Sequence, residues 1–394
     1  IYGFAQINVT AQKKDAWTIM MYVCGADLES ESGLASGDFD EILKVSGQPD
    51  DVNIIIQTGG ASKWASTHGI SGSANQRYHI ENRRLVCDNS KVYSNYKSMG
   101  QSSTFADFVT WGLSEYPAEK TGVVLWNHGG AMRGVCYDEK SSDDSLLNAE
   151  VKSGMATAFS NVGRSTSDKL EFIGYDACLM QAQDIAEFNS QYFNYMVASQ
   201  ESEAGYGWDY DNWVDELYRK ESTETILRSI CDTFISDNGG VNSRNGDQTL
   251  SYLNLSNMPA YKTAFESFAS ALKTKFGSKV SKNDFYTWMH NNVKYFGGES
   301  DDDEYFGMFD VIDFLNKIEA NSTYNPGGSY ISNVRTAYSN LVKYSTVQKG
   351  AGNANGLCCI YSKTSGNWLL GSNYGTSQTN FTNWRSFVST YGAI

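Results

Sequence analysis

Proline is scarce, four in 394 residues, and histidine is as rare, with four. Loop geometry therefore falls to the 36 glycines, which reach backbone conformations closed to other residues. The histidines, at 68, 79, 128 and 290, leave few ligands for a transition metal. Seven cysteines, at 24, 87, 136, 178, 231, 358 and 359, contain no C-x-x-C pair, and their odd number leaves at least one outside any internal disulfide framework. Zinc and a disulfide-stapled scaffold are thus both disfavoured, and most of these thiols read as small buried hydrophobes. Basic residues are outnumbered, 31 Lys and Arg against 45 Asp and Glu. The resulting net charge of −14 argues against nucleic acid as a partner, because phosphate binding needs clustered cations. No apolar run reaches the ~18 residues of a membrane span. The longest near the start, Trp17–Gly25, is too short for a signal sequence and is followed by no cleavage-like site, so it reads as a buried strand.

What is present suits a large folded core: 41% apolar and 13% aromatic residues with only 19% charged. Short apolar runs alternate with helical patterns over the first two-thirds, as in a mostly parallel sheet with helices on both faces. Strands are expected at Trp17–Cys24, Val52–Gln57, Thr121–Trp126, Leu170–Tyr175, Tyr195–Ala198 and Thr249–Leu255, with an edge hairpin over Arg77–Cys87. Helices are expected at Thr104–Glu115, Asn148–Phe159, Gln181–Asn189 and Thr223–Ile235, where apolar side chains recur at helical spacing. Beyond residue 260 the pattern changes to two helical stretches, Tyr261–Phe276 and Phe309–Glu319, separated by the acidic run Glu299–Glu304. The expected division is a catalytic α/β domain over 13–260 and a smaller α+β domain over 261–394 packed on it.

Two segments carry chemistry. Val123–Trp126 is a buried strand that runs into Asn127-His128-Gly129-Gly130, and Phe172–Tyr175 is another that runs into Asp176-Ala177-Cys178. Sites in open α/β sheets form beyond the carboxyl ends of strands, and neighbouring strands would bring His128 and Cys178 to one crevice. A thiol supplies a nucleophile once its thiolate is favoured. An imidazole titrating near working pH returns a proton to the departing amine. Glycine after His128 lets the backbone approach a scissile carbonyl, with the Gly129 and Cys178 amides as natural oxyanion donors.

The histidine precedes the cysteine by fifty residues, the order and spacing of caspases, although Asp176-Ala177-Cys178-Leu179-Met180 departs from their Q-A-C-x-G signature. Four segments, Trp17–Glu29 (WTIMMYVCGADLE), Leu125–Gly130 (LWNHGG), Ile173–Met180 (IGYDACLM) and Val197–Tyr210 (VASQESEAGYGWDY), resemble the clostripain family of cysteine peptidases. The resemblance is good over roughly residues 15–260 and loose beyond. It implies a caspase/gingipain-like fold, a His–Cys dyad falling on His128 and Cys178 with no obligatory third residue, and cleavage of polypeptides after Arg or Lys. It also implies self-cleavage in some members between the dyad residues, where the polar stretch 137–144 reads as an exposed loop and Lys140 is the best basic residue, with Arg133 second. Export from a bacterium, to the periplasm, surface or medium, goes with it.

Strand parity turns Asp176 to the side that carries Cys178, where its carboxylate would hold a substrate cation. It would otherwise orient His128 or cap a helix starting near Leu179. Glu201, Glu203 and Asp209 are the next acids for the same pocket. Plainer readings are preferred elsewhere: Cys24 as a buried neighbour of the site, Asp27 and Glu29 as solvated loop acids, and Cys358-Cys359 as two small buried side chains. Asp301-Asp302-Asp303-Glu304 offers carboxylates to calcium but lacks the spaced D-x-D-x-D-G loop, so no cofactor is expected and the run reads as solvated. The alternatives to a peptidase are a catalytically inactive member binding peptides or glycans at a cell surface, and a transpeptidase using the same dyad.

Overall fold

The computed structural model describes residues 14–238, 246–297, 306–361 and 379–392. The chain order is β1 (Asp15–Cys24), α1 (Ala26–Ser32), α2 (Leu34–Lys44), β2 (Val52–Gly59), β3 (Gln76–Glu81), β4 (Arg84–Asn89), α3 (Ser102–Glu115), β5 (Ala118–Trp126), β6 (Val135–Asp138), β7 (Asp144–Leu146), α4 (Asn148–Asn161), β8 (Leu170–Asp176), α5 (Gln183–Asn189), β9 (Phe193–Ala198), α6 (Tyr210–Tyr218), α7 (Thr223–Thr233) and β10 (Thr249–Asn254). Then follow α8 (Met258–Phe276), α9 (Lys282–Asn292), β11 (Tyr295–Phe296), β12 (Met308–Asp310), α10 (Val311–Ala320), α11 (Tyr330–Leu341), β13 (Val342–Val347), β14 (Cys358–Ile360) and α12 (Thr382–Tyr391).

Nine strands form one sheet in the order β13-β10-β9-β8-β5-β1-β2-β3-β4. The five central strands, β9, β8, β5, β1 and β2, are parallel, and both edges are antiparallel. Parallel strands need both faces covered, which is why β1 is buried from Trp17 to Cys24. Side chains alternate between faces. Met20, Tyr22, Val123, Leu125, Ile173 and Tyr175 pack into one core with Phe105 and Phe108 of α3. Ile19, Met21, Val23, Val124, Trp126 and Phe172 pack into the other with Phe39 of α2 and Trp213 of α6. Each large apolar side chain so buried contributes ~1.5–3 kcal/mol relative to exposure.

The C-terminal segment contributes to this architecture in three ways. It supplies β13 to the sheet edge. Its aromatic helices, Phe265 and Phe268 of α8 and Trp384 and Phe387 of α12 among them, share the first core. The amide of Cys358, in the small sheet β11-β12-β14, donates to the Gln181 carbonyl at 2.9 Å, just after the cysteine segment. Asp310 and Gly356 bracket Gln200, which donates to the former at 2.9 Å and accepts from the latter's amide at 2.6 Å. The loop after β9 is thereby fixed from behind.

Candidate active site

Chain order places β1 and β2 on one side and β5, β8 and β9 on the other, so direction reverses between β1 and β5. Such a reversal opens a crevice at the carboxyl ends of the strands. The register pairs Val23 with Trp126 and Trp126 with Asp176. His128 and Cys178 each lie two residues past those paired positions, and they line one cavity of about 260 Å³ with Leu28, Asp176, Glu203 and Gly207.

Past β8 the chain turns sharply, with Leu179 in the left-handed region at φ 63° and its amide donating to the Glu201 carbonyl at 3.2 Å. A branched residue adopts that conformation only where its surroundings enforce it. Helix α5 begins at Gln183 without a side-chain cap, so the expected helix start near Leu179 is corrected and Asp176 caps nothing. The thiol at Cys178 instead meets backbone: its Sγ accepts from the Glu203 amide at 3.2 Å. Burial pushes this thiol up, and the amides of Glu203, Cys178 and Gly129 pull it back down. Amides aimed at the sulfur are donors that an adjacent oxyanion would also meet.

His128 is held through its neighbour. Asn127 donates to the Cys24 carbonyl at 2.7 Å, accepts from the Tyr137 amide at 2.7 Å, and is tied by its own amide to the Asp176 carbonyl at 3.3 Å. The Asn127 side chain thus clamps the end of β1 to β6, and its backbone ties it to the end of β8. The imidazole Nε2 stands 2.8 Å from Asp27 Oδ1. An Nε2–H facing a carboxylate donates to it, which leaves Nδ1 for proton transfer. Asp27, solvated as read from sequence, also meets the imidazole; its position right after β1 was the signal available. Glu29 is a structural anchor, buried and accepting from Ser36 at its amide and hydroxyl and from the Ala65 amide. At Gly129 any β-carbon would collide with the Cys178 carbonyl, so the close approach of the two loops requires glycine there.

Below the sulfur lies a buried acidic floor. Asp176 accepts from the Tyr210 hydroxyl at 2.8 Å and the Trp208 amide at 3.4 Å. The carboxylate that meets the His128 imidazole is that of Asp27, not Asp176. Burial raises the Asp176 carboxyl to about 6. Burial and the Asp176 charge push Glu203 well above the carboxylate range. Asp38 of α2, bonded to the Trp126 indole at 2.6 Å, is raised by burial and by Asp176 in turn.

Glu201 and Asp209 do not line this cavity. The Glu201 carboxylate accepts from the Ser202 and Gly297 amides at 2.8 and 3.0 Å, and Asp209 accepts from Asn212 at 2.7 Å. The segment expected as an exposed loop is a hairpin, β6–β7, in which only Ser142 and Asp143 of residues 137–144 are exposed. The reason is Asp138, fully buried and accepting from the Tyr96 hydroxyl and the Met99 and Lys140 amides. The Lys140 ammonium donates to the Gly72 carbonyl and lies 3.8 Å from the Tyr96 ring centroid. The hairpin also walls a second, larger cavity of about 790 Å³ on the other side of His128, lined by Asp27, Gly130, Arg133, Tyr137, Glu139 and Phe306.

Cys24 is buried, its thiol donates to the Tyr137 carbonyl at 3.4 Å, and burial raises it well above the usual thiol range. Cys358 and Cys359 are both buried and free. Among the described residues no group of three or more His, Cys, Asp or Glu side chains could hold a metal ion; the acidic run 301–304 lies outside them. Among the same residues no helix is long and apolar enough to cross a membrane.

Residues 21–386 match the model of the clostripain family. Clostripain of Hathewaya histolytica is 23% identical over 369 residues, 78% of this chain and 67% of the relative. A secreted C11 cysteine protease of Bacteroides thetaiotaomicron, solved with an irreversible peptide inhibitor, is 16% identical with a TM-score of 0.65, over 96% of this chain and 98% of that one. An inactive zymogen C11 protease of Parabacteroides distasonis is 15% identical with a TM-score of 0.62, over 97% and 99% of the two chains. The fold is thus the caspase-like one that these proteases share.

Proposed function

The chain belongs to the clostripain family and is a cysteine endopeptidase, and from that premise we propose that it cleaves polypeptides after Arg or Lys, with Cys178 as nucleophile and His128 as general acid and base. The observation that carries this reading is the shared cavity: His128 and Cys178 both line it, together with two buried carboxyls, Asp176 and Glu203.

In this mechanism His128 takes the thiol proton and the Cys178 sulfur attacks the scissile carbonyl, whose oxygen becomes negative between the Gly129 and Cys178 amides. Collapse breaks the C–N bond, and His128 protonates the leaving amine. Water, deprotonated by the same imidazole, then opens the thioester and regenerates the thiol. Asp27 holds the ring so that Nδ1 faces the sulfur. No step needs a metal, so activity should persist in excess chelator. The side chain before the cut enters the acidic cavity, where its cation meets the buried carboxyls of Asp176 and Glu203.

Two further elements belong to the reading. The protein is exported, as the related Bacteroides protease is described as secreted. Self-cleavage occurs after Lys140, and the ties of this side chain to Gly72 and Tyr96 mean that the hairpin must open first. A fluorogenic peptide panel differing only in the residue before the cut, run on the parent and on Cys178→Ala, tests the whole. Turnover by Cys178→Ala, or no preference for Arg and Lys, would overturn it. Mass spectrometry of Lys140→Ala, expected to remain one chain, tests the processing site.

A further inference from the structure

Glu203 presents two carboxyl oxygens that are buried and meet no donor in good hydrogen-bonding geometry, although Glu203 lines an open cavity. They lie within reach of the Asp176 carboxyl, and the Ala177 amide also bears on Glu203. Two ionised carboxylates are both acceptors, so contact between them requires a proton. The groups acting most strongly on the pair from each packed element are themselves acidic. They are Asp38 and Glu41 from α2, Tyr210 from α6, and Cys178 at the end of β8. Glu201 bears on Cys178 from the loop after β9, and Glu203 bears on Cys231 of α7.

Resting on the basic-residue reading above, we infer that Asp176 and Glu203 share a single proton while the cavity is empty, and that an entering Arg or Lys side chain expels it. The preference for a basic residue is then set by pH. The exchange balances: one carboxylate, one carboxylic acid and an incoming cation become two carboxylates, one bound cation and one proton released to solvent. Below the range in which the pair gives up its proton, the cation competes with that proton. Above it, both carboxylates are ionised in advance and the preference levels off. The raised position of both carboxyls, Asp176 to about 6 and Glu203 well above the ordinary carboxylate range, places the crossover above that of a free carboxylate. A cavity of about 260 Å³ suits one side chain, against roughly 300–1,000 Å³ for sites that hold whole ligands.

The test is calorimetry on the full chain with two peptide aldehydes that differ only in a terminal arginine or its neutral isostere citrulline. Two buffers of different ionisation enthalpy report the protons exchanged. Both aldehydes react with the thiol alike, so their difference isolates the pocket. Near pH 6, arginine should release about one proton more than citrulline, and the affinity ratio should rise by up to about tenfold per pH unit below the crossover. Glu203→Gln should cut the extra release to what the Asp176 carboxyl alone gives up and weaken the pH dependence of the ratio, while keeping part of the preference through Asp176. A ratio that favours arginine but stays flat with pH, with no proton difference, would sink the shared proton and leave the basic pocket standing. A ratio near one at every pH would sink the pocket itself. The parent measurements decide the matter even if the variant folds poorly.

Discussion

Asp27 Oδ1 lies 2.8 Å from His128 Nε2, so helix α1, which follows β1, fixes the imidazole delivered by the loop after β5. Asp27→Asn should lower kcat by about tenfold, the size expected for one charge-assisted hydrogen bond in a half-exposed site, and leave KM nearly unchanged. Steady-state kinetics on one good substrate checks this. A rise in KM at constant kcat would assign Asp27 to substrate binding instead.

Cys178→Ala should abolish cleavage without loss of fold, and Cys24→Ala should remain active. Cys24 is enclosed, with its thiol on the Tyr137 carbonyl, so limited iodoacetamide treatment of the native protein should label Cys178 first. Peptide mapping that found Cys24 carboxymethylated with loss of activity would reverse the assignment.

Gly129→Ala places a β-carbon against the Cys178 carbonyl. The backbone must move, and both oxyanion donors move with it. Loss of one such donor costs about 10²–10³ in kcat, so at least a hundredfold loss is expected with an unchanged far-ultraviolet spectrum. Near-parental turnover would mean that the oxyanion is held elsewhere.

Asp176→Asn should discriminate between matched substrates carrying Arg or Gln before the cut. A cation left without its buried counter-charge loses on the order of 2–4 kcal/mol, so turnover of the Arg substrate should fall far more than that of the Gln substrate. Equal losses would make Asp176 a support of the fold.

The same variant carries a stability prediction whose sign follows from the raised carboxyl. Asp176 sits at about 6 in the folded chain against about 3.9 for a free aspartate. It is neutral in both states below the lower value and costs nothing there. As pH rises the unfolded chain ionises first, so the penalty grows until the folded carboxyl also ionises and is constant above. Asp176→Asn should therefore raise the melting temperature at pH 8 and change it little at pH 4. A gain at pH 4 as large as at pH 8 would show that packing and not charge is responsible.

The local pattern was enough for the strands, because a buried parallel strand is a continuous apolar run and the residues just past it are polar by contrast. That contrast marked His128 and Cys178. Parity alone turned Asp176 to the side that carries Cys178, and both line one cavity. What local pattern does not carry is distance between segments far apart in the chain. Asp27 looked like any solvated loop acid until the β1–β5 register set it beside the imidazole across a hundred residues. Residues 137–144 looked like an exposed loop because polarity was equated with solvent, whereas Asp138 is polar and fully buried, satisfied by Tyr96 and Met99. Glu201 and Glu203 are two residues apart and chemically alike. Only the tertiary course of the loop after β9, fixed through Gln200 to Asp310 and Gly356, gives one of them backbone amides and leaves the other facing the cavity. Residue type and spacing determined which chemistry was available; long-range packing decided which side chains meet to perform it.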